Sequence, residues 1–187
     1  AFEALGIRDF KSIYTQLDQQ PLFDRFETGK LTEETFFDAL EMFAPQASTE
    51  DLMAAWNAML LDLPSERWEF IQSCAQRGPI GLLSNTNETH VRALAAQLPE
   101  KHSLDKLRGL FQQAFFSNEI GYRKPDAEAF EFVLGELQWK AENTLFIDDS
   151  PQHIEGAKKL GMHTWHLQAN ESILDLDKVL QAHHLSF

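Results

Sequence analysis

The pair Asp148-Asp149 is the strongest chemical signal in this chain. It stands directly after Leu145, Phe146 and Ile147, and is followed by Ser150-Pro151 and a helical pattern that ends at Gly161. A short apolar run bounded by turn residues reads as a buried strand of a parallel sheet. Ligands of open α/β sheets bind beyond the carboxyl ends of the strands. Two adjacent carboxylates placed there are costly without a positive partner. A hard cation such as Mg²⁺ suits them, because it takes one or two carboxylates and completes its shell with water and phosphate. The plainer alternative is that one Asp caps the following helix and the other is solvated.

Two further loops carry complementary groups. Ser84-Asn85-Thr86-Asn87 follows an apolar run at 79–83. The Ser84 hydroxyl can donate to a phosphoryl oxygen, and the Asn85 backbone N–H can do the same near a helix start. Lys124 lies in the loop 121–126 and is a point charge suited to neutralising a phosphoryl group. Each alone has a bland reading: a turn, and a solvated lysine before a proline. A hydroxyl, an ammonium and a metal-binding carboxylate pair at one sheet edge would together stabilise charge during phosphoryl transfer.

The elements that must position these groups divide the chain at Pro79. Residues 1–78 read as helices: the end of one at 2–5, short candidates at 9–16 and 21–26, and then three longer ones. Thr32 can cap a helix carrying Phe36, Leu40 and Phe43. Ser48 with Asp51 three residues on is a capping-box-like start for the stripe Leu52, Trp56, Met59 and Leu60. Pro64-Ser65 starts a helix with Trp68 and Ile71 inward, ended by Gly78. From 79 onward strands at 79–83, 114–117, 145–149 and 163–167 alternate with helices. Val91, Leu94, Ala95 and Leu98 mark the inward face of the first of these helices. Asp126 is placed to cap the one carrying Phe130, Val133, Leu134 and Leu137, and a last helix spans 171–183. This alternation predicts a parallel, doubly wound α/β sheet.

Composition narrows the function class. The 187 residues are 43% hydrophobic with 15 Phe, enough for one domain with a small appendage. A net charge of −13 argues against nucleic acid and anionic membrane as partners. The single cysteine, Cys74, excludes an intramolecular disulfide and fits a reducing, cytoplasmic compartment. No apolar run is long enough to span a membrane, and no signal peptide is visible.

The stretches LLSNTN, GYRKPDAEAF and LFIDDSPQHIEGAKKLG, in this order and spacing, resemble the second, third and fourth motifs of the haloacid dehalogenase-like (HAD) hydrolases. They are most similar to the small sugar-phosphate phosphatases of that group, of the glucose-1-phosphate phosphatase type. The resemblance implies a Rossmann-like core over 79–187 and a helical cap over 1–78. It implies a magnesium-dependent phosphatase acting on a small phosphorylated metabolite, with Ser84 and Lys124 catalytic and Ser84, Asn85 and Lys124 on the substrate. Asp149 matches the Mg²⁺ ligand, and Asp148 is the extra acid that acts in the second shell or through water. His153 falls where the family more often has Asp or Asn, and reads as a helix-start polar residue.

The family's first motif, a strand ending in Asp-x-Asp whose first Asp becomes an aspartyl-phosphate, has no counterpart in residues 1–20. That strand is the centre of the family's sheet, so the expectation is that an upstream segment precedes Ala1. The one Asp-x-Asp, Asp175-Leu176-Asp177, could serve only in a circularly permuted chain, and Ile173, Leu176, Val179 and Leu180 fit a helical face better. Three other readings stay open: a phosphomutase, a haloacid dehalogenase that needs no Mg²⁺, and a non-catalytic relative that binds phosphate or metal.

Overall fold

The structure is a computed structural model, and it describes residues 1–5 and 22–182. The helix expected at 9–16 lies outside the described residues. In chain order the elements are α1 (Leu22–Glu27), α2 (Glu33–Glu41), α3 (Thr49–Asn57), α4 (Ser65–Arg77), β1 (Gly81–Ser84), α5 (Glu88–Gln97), α6 (Leu104–Arg108), β2 (Gln113–Phe116), α7 (Ser117–Ile120), α8 (Ala127–Leu137), β3 (Leu145–Asp148), α9 (Pro151–Lys159), β4 (His163–His166) and α10 (Leu176–Ala182). Short 3₁₀ turns add Phe2–Leu5, Glu100–His102, Ala141–Asn143 and Ile173–Asp175. Among the described residues no helix is long and apolar enough to cross a membrane.

Contacts divide the chain into two compact units that do not follow the boundary expected at 78. One holds residues 1–62, 84–104 and 116–121; the other holds 63–83, 105–115 and 122–187. The loop after β1 and the helix α5 therefore go with the helical block, and α4 goes with the strands.

In the first unit the expected caps form. The Thr35 N–H donates to Thr32 Oγ1 at 3.2 Å. Ser48 and Asp51 close a reciprocal capping box. These fix where α2 and α3 begin, and so which faces turn inward. Phe36, Phe37, Leu40 and Leu52 are fully buried with Phe23, Phe26 and Trp56. Phe26 stacks on Phe36 with centroids 4.0 Å apart, and Phe36 meets Trp56 at 4.9 Å. The stripe ends early: α3 stops at Asn57, and Met59 beyond it is exposed. On α5 the buried residue is Thr89, while Val91, Leu94 and Leu98 are half-buried and Ala95 is exposed. The reason is polar: Glu33 of α2 accepts hydrogen bonds from both Thr89 and Arg92.

In the second unit β3 and β4 run parallel in the register Leu145 to His163 through Asp148 to His166. Side chains alternate across β3. Leu145 and Ile147 join Cys74, Trp165, Leu176 and Leu180 in one cluster with α4 and α10. Phe146 points the other way, edge-on to Phe130 of α8 at 5.2 Å. Helices on both faces of a parallel pair make the α/β, Rossmann-like arrangement that the alternating pattern predicts. Among the described residues β1 pairs only with β2, and β3 only with β4, as two separate sheets. Asp126 occupies the N-cap of α8 but its side chain makes no capping bond. Asp175 and Asp177 lie on a 3₁₀ turn and on α10, not at a strand end, and pair with Lys178 and Arg77. The permuted reading of this Asp-x-Asp fails on that geometry.

Candidate active site

β3 delivers Asp148 as its last residue, and the turn into α9 follows. Pro151 at the first helical position and the positive end of the α9 dipole make this turn a favourable place for negative charge. Asp148 uses both oxygens. Oδ2 accepts from Lys124 Nζ at 2.7 Å, and Oδ1 accepts from the Ser150 N–H and from His153 Nδ1, each at 2.9 Å. Lys124 is 7% exposed. Its ammonium also donates to the Leu83 carbonyl at 2.9 Å and lies 5.6 Å from the Phe146 ring centroid. Burial alone would raise the Asp148 pKa. The His153 hydrogen bond, the Lys124 ammonium and the Ser150 N–H outweigh it and hold the carboxyl far below the usual carboxylate range.

The approach of α9 to this loop depends on Gly156. A Cβ there would stand 2.7 Å from the Pro125 carbonyl and 3.0 Å from the Phe130 ring. Any larger residue would push α9 off the segment that carries Lys124.

Asp149 behaves differently from its neighbour. It is exposed, and its carboxylate has no hydrogen-bond or ion-pair partner among the described residues. Its carbonyl accepts from His166 Nε2 at 3.1 Å, and Gln168 Nε2 donates to the other ring nitrogen at 2.7 Å. The β4 end thus pins the Asp149 main chain while its carboxylate stays available. No group of three or more His, Cys, Asp or Glu side chains among the described residues forms a ready-made metal cage. A donor set of one available carboxylate fits Mg²⁺, which keeps several waters and takes substrate phosphate. Both Asp148 oxygens already accept hydrogen bonds, two on Oδ1 and one on Oδ2.

Ser84 and Asn85 are described with the other unit. Ser84 ends β1, is half-buried, and its hydroxyl has no hydrogen-bond partner among the described residues. It follows Leu83, the residue whose carbonyl Lys124 holds. Behind Ser84 the loop is fixed twice. Ser117 Oγ bonds both backbone groups of Thr86. Asn87, 1% exposed, caps α5 through the His90 N–H at 3.0 Å. The His90 ring stacks on Trp56 with centroids 5.1 Å apart, and its Nε2 donates to the Trp56 carbonyl at 3.2 Å.

Of the residues expected from sequence, Lys124 and Asp148 are in direct contact and Asp149 adjoins them. His153, read as a plain helix-start residue, is instead a hydrogen-bond partner of Asp148. Its position in the first turn of α9 was the available signal. Ser117, His90 and His166 gave none, because their partners are backbone atoms 31, 34 and 17 positions away.

The chain is similar to known proteins over most of its length. D-ribitol-5-phosphate phosphatase of Bacteroides thetaiotaomicron is 28% identical over 167 residues, spanning 88% of this chain and 80% of the relative. A predicted HAD-like family hydrolase of Porphyromonas gingivalis, 28% identical, superposes with a TM-score of 0.80 over 96% of this chain and 87% of the other. A HAD family enzyme of B. thetaiotaomicron, crystallised with magnesium and inorganic phosphate, is 26% identical with a TM-score of 0.75, covering 91% and 88% of the two chains. The profile of the haloacid dehalogenase-like hydrolases matches residues 16–161, and the chain belongs to that family.

Proposed function

We propose that this protein is a magnesium-dependent phosphatase of small phosphorylated metabolites, of the sugar or polyol phosphate class. The observation that carries the reading is the buried Lys124–Asp148 pair at 2.7 Å, with the Asp149 carboxylate left available beside it. The phosphatase relative named for ribitol 5-phosphate and the neighbour holding magnesium and phosphate support the choice of substrate class and metal.

In this reading each residue has a role set by its surroundings. Asp149 is the magnesium ligand. Magnesium, when bound, neutralises charge on the phosphoryl oxygens. Lys124 adds a fixed cation for the same group, held in place by Asp148 and the Leu83 carbonyl rather than by solvent. Asp148 acts through Lys124 and through water. The Ser84 hydroxyl and the Asn85 N–H donate to the phosphoryl group. Residues 1–78 serve as the cap and 79–187 as the core. The nucleophilic step is assigned to none of these residues, since no Asp-x-Asp stands at a strand end among those described.

The test is release of inorganic phosphate from a panel of five- and six-carbon sugar and polyol phosphates. Release that needs Mg²⁺ and stops with a chelator is expected. Hydrolysis of a haloacid that survives the chelator would replace this reading by a dehalogenase. Phosphate binding without release would make the protein a non-catalytic relative, and an isomeric phosphate product a phosphomutase.

A further inference from the structure

We infer that Ser117 is a positioning residue for phosphate recognition, acting through the Thr86 peptide groups on the loop that carries Ser84 and Asn85. The inference rests on the phosphatase reading and extends it to a residue outside the three sequence stretches.

Ser117 follows β2 and opens α7. Its side chain is fully buried. A hydroxyl has one donor and two acceptor sites. Ser117 Oγ accepts from the Thr86 N–H at 2.8 Å and donates to the Thr86 carbonyl at 3.0 Å. One side chain therefore satisfies both backbone groups of a single residue.

The consequence is geometric. The Thr86 N–H lies in the Asn85–Thr86 peptide plane, and the Thr86 carbonyl lies in the next one. Holding both planes restrains Thr86 φ and ψ together and fixes the plane by which the chain leaves Asn85. The next plane back, Ser84–Asn85, contains the N–H assigned to the phosphoryl group. Asn87 is fixed on the other side by its cap on α5. The loop is thus anchored at two consecutive residues, leaving Ser84 and Asn85 little freedom to lose when phosphate binds. A loop ordered in advance binds more tightly because that entropy is not lost on binding.

A purely structural Ser117 would satisfy the same two groups and nothing more. The two roles separate in phosphate affinity, measured by titrating inorganic phosphate into the full protein at saturating Mg²⁺. Ser117→Ala and the near-isosteric Ser117→Cys should each weaken phosphate binding roughly tenfold or more in the folded protein. Magnesium affinity should stay unchanged, since Asp149 is held by other contacts. Hydrogen exchange in the wild type gives a reading that needs no variant: the Thr86 amide should be protected before phosphate is added. Phosphate affinity within twofold of wild type in both folded variants overturns the proposal, and so does a rapidly exchanging Thr86 amide. Failure of the wild type to bind phosphate overturns the phosphatase reading and this proposal together.

Discussion

The helical unit and the strand unit are each held by different means. In the helical unit, aromatic rings from α1, α2 and α3 pack on one another, with Phe23, Phe36 and Phe37 at 1% exposure or less. In the strand unit the residues of β1 and β3 are no better than half-buried, Leu82, Leu83, Leu145, Phe146 and Ile147 included. Each of these strands has one strand neighbour among the described residues. The most enclosed link between them is polar, with Lys124 spanning the Leu83 carbonyl and Asp148. Both units bury apolar side chains, Phe115, Phe130 and Ile154 among them in the strand unit, but among the described residues only there does a buried charge pair tie the strand ends together. On the proposed function, stability and phosphate binding are joined at that pair.

Substitutions at the two centres should be the most damaging. Lys124→Met leaves Asp148 at 8% side-chain exposure without its main cation, which costs about 3–5 kcal/mol. Phe36→Ala opens a cavity in the ring cluster at a cost of about 3–5 kcal/mol. Urea denaturation measures both. Only the loss at Lys124 should come with loss of phosphate binding, and equal phosphate binding in the two variants would break the comparison. Ile147→Ala should cost less than Phe36→Ala, about 2 kcal/mol, because its site is only half enclosed. A loss as large as that at Phe36 would show that β3 is as enclosed as the ring cluster of the helical unit.

Smaller effects sharpen the picture of the helical unit. Ser48→Ala removes the capping box and should cost about 1 kcal/mol in the same assay. Burial pushes the His90 pKa down, against the opposing bond to the Trp56 carbonyl. Its folded value thus lies below the unfolded value of about 6.5, and folding favours the neutral ring. That contribution is complete above the unfolded value and is lost as pH falls through it toward the folded one. Stability should therefore drop as pH falls below about 6.5, and His90→Gln should flatten the drop. An unchanged pH profile in that variant would remove His90 from the account.

The sequence showed the α/β alternation because strands such as Leu145–Asp148 are apolar runs cut off by turn residues. It showed Lys124, Asp148 and Asp149 because their residue types stand at strand ends and loops in a recognisable order. It also showed two helix caps, since Thr32 and Ser48 act within three residues of themselves. It did not show the tie between Glu33 and α5, which joins residues more than fifty positions apart. Periodicity put Ala95 on an inward face that a Thr89 hydrogen bond decides instead. The capping role expected of Asp126 failed for a similar reason. N-cap position is local, but whether the side chain turns to the helix is not.

The central claim is that Asp149 and Lys124 of this chain bind magnesium and phosphate jointly. Calorimetric titration of inorganic phosphate, with and without Mg²⁺, into wild type and Asp149→Asn tests it most directly. Asp149 is exposed, so the variant should keep its fold and stability. The account predicts saturable phosphate binding that requires Mg²⁺ and is lost in Asp149→Asn. Phosphate binding that is equally tight without Mg²⁺, or unchanged in Asp149→Asn, would contradict it.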